Sequence, residues 1–272
     1  MQTQQHAITL SDITINYANK CIIEQLDLTI KKGEITALIG PNGCGKSTLL
    51  KSINRLLTPK TGCVYLDKNF NVHQQASNKV AQLMAMLPQI TQSPEGITVK
   101  TLVAFGRAPY LNQFGVLRQH DHQKVEQAMQ QAKVSDLSDQ YIDQLSGGQL
   151  QRVWIALVLA QDTDIILLDE PTTYLDICHQ FELLNLMVEL NRQGKTIVVV
   201  MHDLNQACRY ADNLVIMKAG KVITKGYPED VFTSKMLKDV FNFDALVIQD
   251  PESHTPMSIA RQVNRPHKDQ VV

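Results

Sequence analysis

The sequence has no apolar run long enough to cross a membrane. Its longest, such as Ile197–Met201 and Ile165–Leu168, fall far below the ~20 residues a spanning helix needs. It also lacks an excess of either charge, with 26 Lys and Arg against 27 Asp and Glu. No basic run or stripe is present, so electrostatic capture of nucleic acid is excluded as a partner class. The five cysteines are odd in number and scattered, which points to free thiols and away from a disulfide framework or a zinc site. The histidines show no metal-ligand spacing. The first residues, Met1 to His6, have neither a basic segment nor an apolar stretch behind it, so no secretory signal is expected. Internal repeats and low-complexity segments are absent too.

What is present is the composition of a globular protein, 272 residues with 44% apolar and 19% charged side chains. That length can bury the core of one large α/β domain or of two closely joined subdomains. Residues 7–39 read as strands, with Ile8-Thr9-Leu10 and Ile13-Thr14-Ile15-Asn16-Tyr17 alternating in type. Ile35 to Ile39 is a short buried strand feeding a glycine-rich loop, and Ser47 to Leu57 is the helix this loop opens. Thr61 to Asp67 gives another strand. From Thr98 to Val134 the pattern is helical, with a Pro/Gly-containing interruption at Arg107 to Gly115. Gln149 to Ala160 is an apolar-rich helix. Ile165–Leu168, Ile197–Met201 and Leu214–Met217 are buried strands in α/β rhythm, with a helix over about Ile177 to Gln193 between the first two. Residues 251–272 are polar and patternless and read as a mostly extended tail.

Chemistry concentrates in two strings. Gly40-Pro41-Asn42-Gly43-Cys44-Gly45-Lys46-Ser47-Thr48 fits the phosphate-binding pattern G-x-x-x-x-G-K-[ST]. Its amides converge at a helix N-terminus, Lys46 reaches the β- and γ-phosphates, Ser47 ligates Mg²⁺, and Thr48 contacts the α-phosphate. Such a loop serves kinases, GTPases and helicases alike. The second string, Leu145-Ser146-Gly147-Gly148-Gln149, followed by Leu167-Leu168-Asp169-Glu170-Pro171, narrows the choice. Asp169 closes an apolar strand at the edge where open α/β sheets bind ligands. There it can hold Mg²⁺ through water while Glu170 polarises an attacking water. Gln89, at the border of the strand-rich and helical parts, can bind Mg²⁺ or its water through the amide oxygen.

With these motifs in place, the chain resembles the ATP-binding subunit of an ABC transporter over nearly its whole length. The resemblance implies a P-loop NTPase (RecA-like) core of the α/β class, an antiparallel β subdomain, and a helical subdomain inserted at about 90–160 within an ATPase domain of 1–250. It implies Glu170 as catalytic base, and His202 as the residue that contacts the γ-phosphate and positions that carboxylate. An aromatic before the core stacks on adenine in this family, and Tyr17 stands in that place, with cross-strand packing as its rival role. Ser146, Gly147, Gly148 and Gln149 are implied to bind the γ-phosphate of ATP held by a second copy, in a head-to-tail homodimer that Tyr174-Leu175-Asp176 crosses.

Val103 to Tyr110, Thr172 to Asp176 and His202 to Ala207 look like the iron-chelate and cobalamin importer branch, most of all the ATPases for ferric siderophores and ferric dicitrate. That resemblance implies integral membrane permease subunits, a periplasmic or lipoprotein substrate-binding protein, and a peripheral location at the cytoplasmic face of the inner membrane. Cobalamin or haem import, or a non-importer ABC ATPase, stays open on the sequence.

Overall fold

A strand of five apolar residues has no polar face to give to water, so it must be covered on both sides. The computed structural model, which describes residues 6–17, 20–67, 69–89, 95–111, 115–173 and 175–261, meets this demand with a layered α/β arrangement. The chain opens with β1 (His6–Tyr17) and β2 (Lys20–Lys31), paired antiparallel. The two short strands expected before Tyr17 are one: Asp12 takes a left-handed φ of 50°, and the register shifts between Leu10 and Ile13 as the strand bends.

β3 (Ile35–Ile39) leads through the glycine-rich loop into α1 (Lys46–Ile53). That helix stops four residues before the expected Leu57, because Arg55 turns the chain with φ 64°. β4 (Thr61–Leu66) and β5 (Phe70–Asn71) complete a four-stranded antiparallel sheet in the order β2-β1-β4-β5. α2 (Ser77–Ala81) and β6 (Met84–Leu87) bring the chain to Gln89. α3 (Val99–Ala104), a 3₁₀ turn over Phe105–Tyr110, α4 (Gln119–Gln131) and α5 (Gly147–Ala160) then surround a core of their own, with Val103, Val125 and Val153 at its centre.

The remaining elements are β7 (Ile165–Asp169), α6 (Ile177–Arg192), β8 (Thr196–Val200), α7 (Leu204–Tyr210), β9 (Asn213–Lys218) and β10 (Lys221–Gly226). They build a central sheet in the order β10-β9-β3-β8-β7-β6. All neighbours in it run parallel except β10, which returns beside β9. Alternation sorts each central strand between two cores. Ile166, Leu168, Ile197 and Val199 face the core under α5 and α6, while Ile165, Leu167, Val198 and Val200 face the one shared with the antiparallel sheet and α1. Fully burying one such side chain is worth about 1.5–3 kcal/mol.

α8 (Pro228–Val231) and α9 (Ser234–Phe241) lead to the chain end, where the expected patternless tail is replaced in part by a hairpin. β11 (Ala245–Gln249) pairs antiparallel with β12 (Pro256–Ala260), and Asp250 closes their turn by accepting from the Glu252 and Ser253 amides. The polar residues that masked this hairpin in the sequence form its turn, while Leu246 and Ile259 on its strands are exposed.

The break expected at Arg107 to Gly115 has a buried purpose. Arg107 donates Nε–H to Asp121 Oδ1 at 2.9 Å and Nη1–H to the Ala160 carbonyl at 2.8 Å, tying the 3₁₀ turn to α4 and to the end of α5. Burial alone would raise the Asp121 carboxyl, but the Arg118 amide and the Arg107 guanidinium outweigh it and hold the group below its ordinary 3.8. The pair therefore stabilises the fold fully above pH 3.8, and that contribution fades as pH falls toward the lowered folded value. Removing one partner of a buried pair leaves an uncompensated charge, so Asp121→Ala should cost about 3–5 kcal/mol in urea unfolding. It should also flatten the acid limb of stability between pH 4 and pH 2, roughly the window of carboxylate titration; an unchanged acid limb would refute the role given to this pair.

Candidate functional site

The parallel pairing aligns the carboxyl ends of β3, β8, β7 and β6 side by side, and each strand carries one functional segment just past its end. After β3 comes the loop 40–45, after β8 His202, at the end of β7 Asp169 with Glu170, and after β6 Gln89. A cleft of about 560 Å³ opens there, lined by Tyr17, Ile22, Asn42, Gly43, Gly45, Lys46, Ser47, Thr48, Gln89, Glu170 and His202.

The loop's glycines answer steric demands. A Cβ on Gly40 would lie 2.2 Å from the Met217 carbonyl oxygen and 2.8 Å from Cys44 Sγ, so no side chain fits between β3 and β9. Gly45 caps α1 with φ 107°, a conformation that other residues reach only with strain, and this turns the first helical amides toward the cleft. Lys46 is buried, and its Nζ donates to the Gly40 carbonyl at 2.8 Å and the Pro41 carbonyl at 3.3 Å. Cys44 points inward beneath the loop, where burial pushes its thiol up despite nearby Lys46. Gly40, Pro41 and Cys44 thus shape the loop from behind and do not line the cleft.

Asp169 is wholly buried. Its Oδ1 accepts the Ser47 hydroxyl at 2.7 Å, while Oδ2 has no hydrogen-bond partner among the described residues. Burial raises the Asp169 carboxyl, and the Glu170 charge adds to this, against the lowering by Ser47. Glu170 stands at φ 52°, a left-handed conformation that costs a non-glycine residue about 1 kcal/mol or more. It is gripped from both sides: His202 Nε2 lies 2.6 Å from Oε1, and Gln89 Nε2 donates to Oε2 at 2.5 Å. Tyr17 is 66% exposed at the mouth, its ring free to take a flat ligand. Ile22, on the neighbouring strand β2, lines the cleft next to it. It passed unnoticed in the sequence because one isoleucine in a strand carries no signal of its own.

Ser146, Gly147, Gly148 and Gln149 are not brought to this cleft. They form the N-terminus of α5, closed by a capping box in which Ser146 Oγ accepts the Gln149 amide at 3.3 Å and Gln149 Oε1 accepts the Ser146 amide at 2.9 Å. The helix therefore begins at Gly147, two residues before the expected Gln149. Ser146 and Gly147 are exposed. Of the interface segment, Tyr174 lies outside the described residues, Leu175 is buried, and Asp176 caps α6 by accepting the His179 amide at 2.9 Å.

The model of the ABC transporter family matches residues 23–173, and the chain belongs to that family as one of its ATPases. It is 50% identical over 254 residues to an achromobactin transport ATP-binding protein of Dickeya dadantii, covering 93% of this chain and 94% of that one. A ferric enterobactin transport ATP-binding protein of Escherichia coli is 46% identical over 248 residues, 91% of each chain. Among solved structures, an inward-facing metal-chelate type ABC transporter shares 27% identity with a TM-score of 0.81, covering 96% of this chain and 98% of that chain. A dimeric bacterial ABC transporter cassette has a TM-score of 0.72 at 29% identity, over 81% and 98% of the two chains.

Lys46 carries the only ammonium lining the cleft among the described residues. Charge-assisted hydrogen bonds are worth about 1.5–3 kcal/mol, so Lys46→Ala should weaken ATP binding roughly tenfold or more. Titration with a fluorescent ATP analogue checks this, and unchanged affinity would disprove the phosphate-binding assignment.

Proposed function

We propose that the protein is the ATP-hydrolysing subunit of an importer for a ferric siderophore, working on a separate permease at the cytoplasmic face of the inner membrane. The observation that carries the reading is the pairing of relatives named for siderophore transport, at 46–50% identity over nine-tenths of both chains, with a carboxylate held ready at the phosphate loop. No helix of the described residues is long and apolar enough to cross a membrane, so the path for the chelate belongs to other chains. A homodimer of this subunit, integral membrane permeases and a periplasmic or lipoprotein binding protein complete the system. Nucleic acid has no part in it.

In this reading Lys46 and the loop amides bind the β- and γ-phosphates of ATP, and Tyr17 stacks on the adenine. Mg²⁺ fits the residues present: Asp169 offers a buried, unpaired Oδ2 beside the Ser47 hydroxyl, and Gln89 turns a side-chain amide toward the same cleft. Bound there, Mg²⁺ supplies positive charge to the phosphates. Glu170 takes the proton of the attacking water as general base, and His202 orients that carboxylate. The exposed Ser146–Gln149 terminus reaches the γ-phosphate of a nucleotide on the second subunit, which explains why it stands apart from its own cleft. Closure of the dimer on ATP and its opening after hydrolysis are then a population shift driven by differential affinity.

Glu170→Gln keeps the shape of the side chain and removes the base. ATP should still bind, turnover should fall at least about a hundredfold, and an ATP-bound dimer should accumulate. Near-normal turnover would remove the base assignment. In cells, deleting the gene should impair growth when iron arrives only as the right ferric chelate and spare growth on free iron. Glu170→Gln should not restore that growth. Normal uptake of every ferric chelate tested, with loss of another solute, would keep the motor and refute the cargo.

A further inference from the structure

Helix α7 begins two residues beyond His202, and at seven residues it is too short to hold its place alone. Its cap is Asp203, whose Oδ1 accepts the Asn205 and Gln206 amides, each at 2.9 Å. Its lateral tie is Asn205. Asn205 Oδ1 accepts both the amide N–H and the hydroxyl of Ser258 at 2.8 Å, and Nδ2 donates to the Ser258 carbonyl at 3.2 Å. One side chain thus takes both backbone groups of a β12 residue on the edge facing away from β11, as a neighbouring strand would. One turn further on, Arg209 Nη1 lies 3.9 Å from Oδ2 of Asp250, the residue that closes the hairpin turn. The hairpin β11–β12 follows the stretch matched by the family model, yet it is fastened at two points to the helix that begins two residues after His202.

We propose that Asn205 is a positioning residue for ATP hydrolysis. By latching α7 to Ser258 it fixes the turn that holds His202 Nε2 at 2.6 Å from Glu170, so the C-terminal hairpin is a working part of the motor. The inference rests on the reading of His202 as the residue that orients Glu170. Displacing a positioned group by about 1 Å can slow a reaction by up to a hundredfold without touching the chemistry. Loss of the latch should therefore lower kcat and leave nucleotide binding at Lys46 unchanged.

The test is steady-state ATP hydrolysis by the full chain, with affinity for a fluorescent ATP analogue measured alongside. Asn205→Ala should reduce kcat about tenfold, within the range misplacement produces, with KM and nucleotide affinity moved by less than about twofold. Asn205→Asp keeps the acceptor for Ser258 and loses the donor, so its kcat should fall between. Ser258→Ala keeps both backbone bonds and should lose least. This order holds the proposal to account even if Asn205→Ala folds poorly, since a different order between the two milder variants overturns it. In a His202→Ala background, adding Asn205→Ala should cost little more. A full additional loss there would mark Asn205 as a general brace and overturn the proposal. Wild-type turnover in Asn205→Ala, with His202→Ala impaired, would overturn the latch alone. Wild-type turnover in His202→Ala would instead remove the role of His202, and the latch with it.

Discussion

Apart from Tyr17 and Ile22, which the antiparallel sheet supplies, the cleft depends on four parallel strands ending at one edge of the central sheet. Hydrogen bonding sets β3, β8, β7 and β6 next to one another, and their equal direction puts every following loop on the same side. A phosphate loop, a histidine, two carboxylates and a glutamine, spread from residue 40 to residue 202, become neighbours by this means alone. The strands need only be short and apolar. Their register then places side chains within hydrogen-bond distance of one another, as the two contacts to Glu170 demonstrate.

The electrostatics follow from the same edge. Asp169 is the last residue of its strand and is buried with it; Glu170 is the first residue out, turned by a left-handed backbone toward the cleft. Two adjacent carboxylates thus meet different surroundings, one beneath the site beside a hydroxyl and one in it between an imidazole and an amide. That difference in environment separates two adjacent residues whose side chains differ by one methylene, burial raising the Asp169 carboxyl while Glu170 stays in contact with His202 and Gln89.

Much of this was legible in the sequence because the informative signals are local. Five-residue apolar strands, a glycine loop before a helix and a carboxylate pair after a strand each announce themselves within ten residues, whereas the contact of the Gln89 side-chain amide with Glu170 did not, since the sequence offered only its oxygen as a cation ligand. What was hidden depends on contacts across the chain. The bend at Asp12 arises from pairing with strands on both sides, and the burial of Arg107 depends on Asp121 and Ala160 coming to it. The hairpin at the C-terminus was hidden for the same reason, since its packing neighbours sit on α7 and α9 and it leaves apolar Leu246 and Ile259 exposed, so its strands show no clean alternation. Cys44, placed in the phosphate loop by the motif, faces the core, in space that is open only because Gly40 beside it has no side chain.

The position of β3 carries a consequence for how the chain is made. Its two partners in the sheet are β8 and β9, which lie at Thr196–Val200 and Asn213–Lys218, so the strand that leads into the phosphate loop has no neighbour until more than 150 further residues have been added. A ribosome extending this chain exposes an apolar strand and a nucleotide loop early and supplies what closes over them late. Contacts so distant along the chain make for slow assembly. The strand that leads into the glycine-rich loop is therefore flanked on both sides only once β8 and β9 have been made.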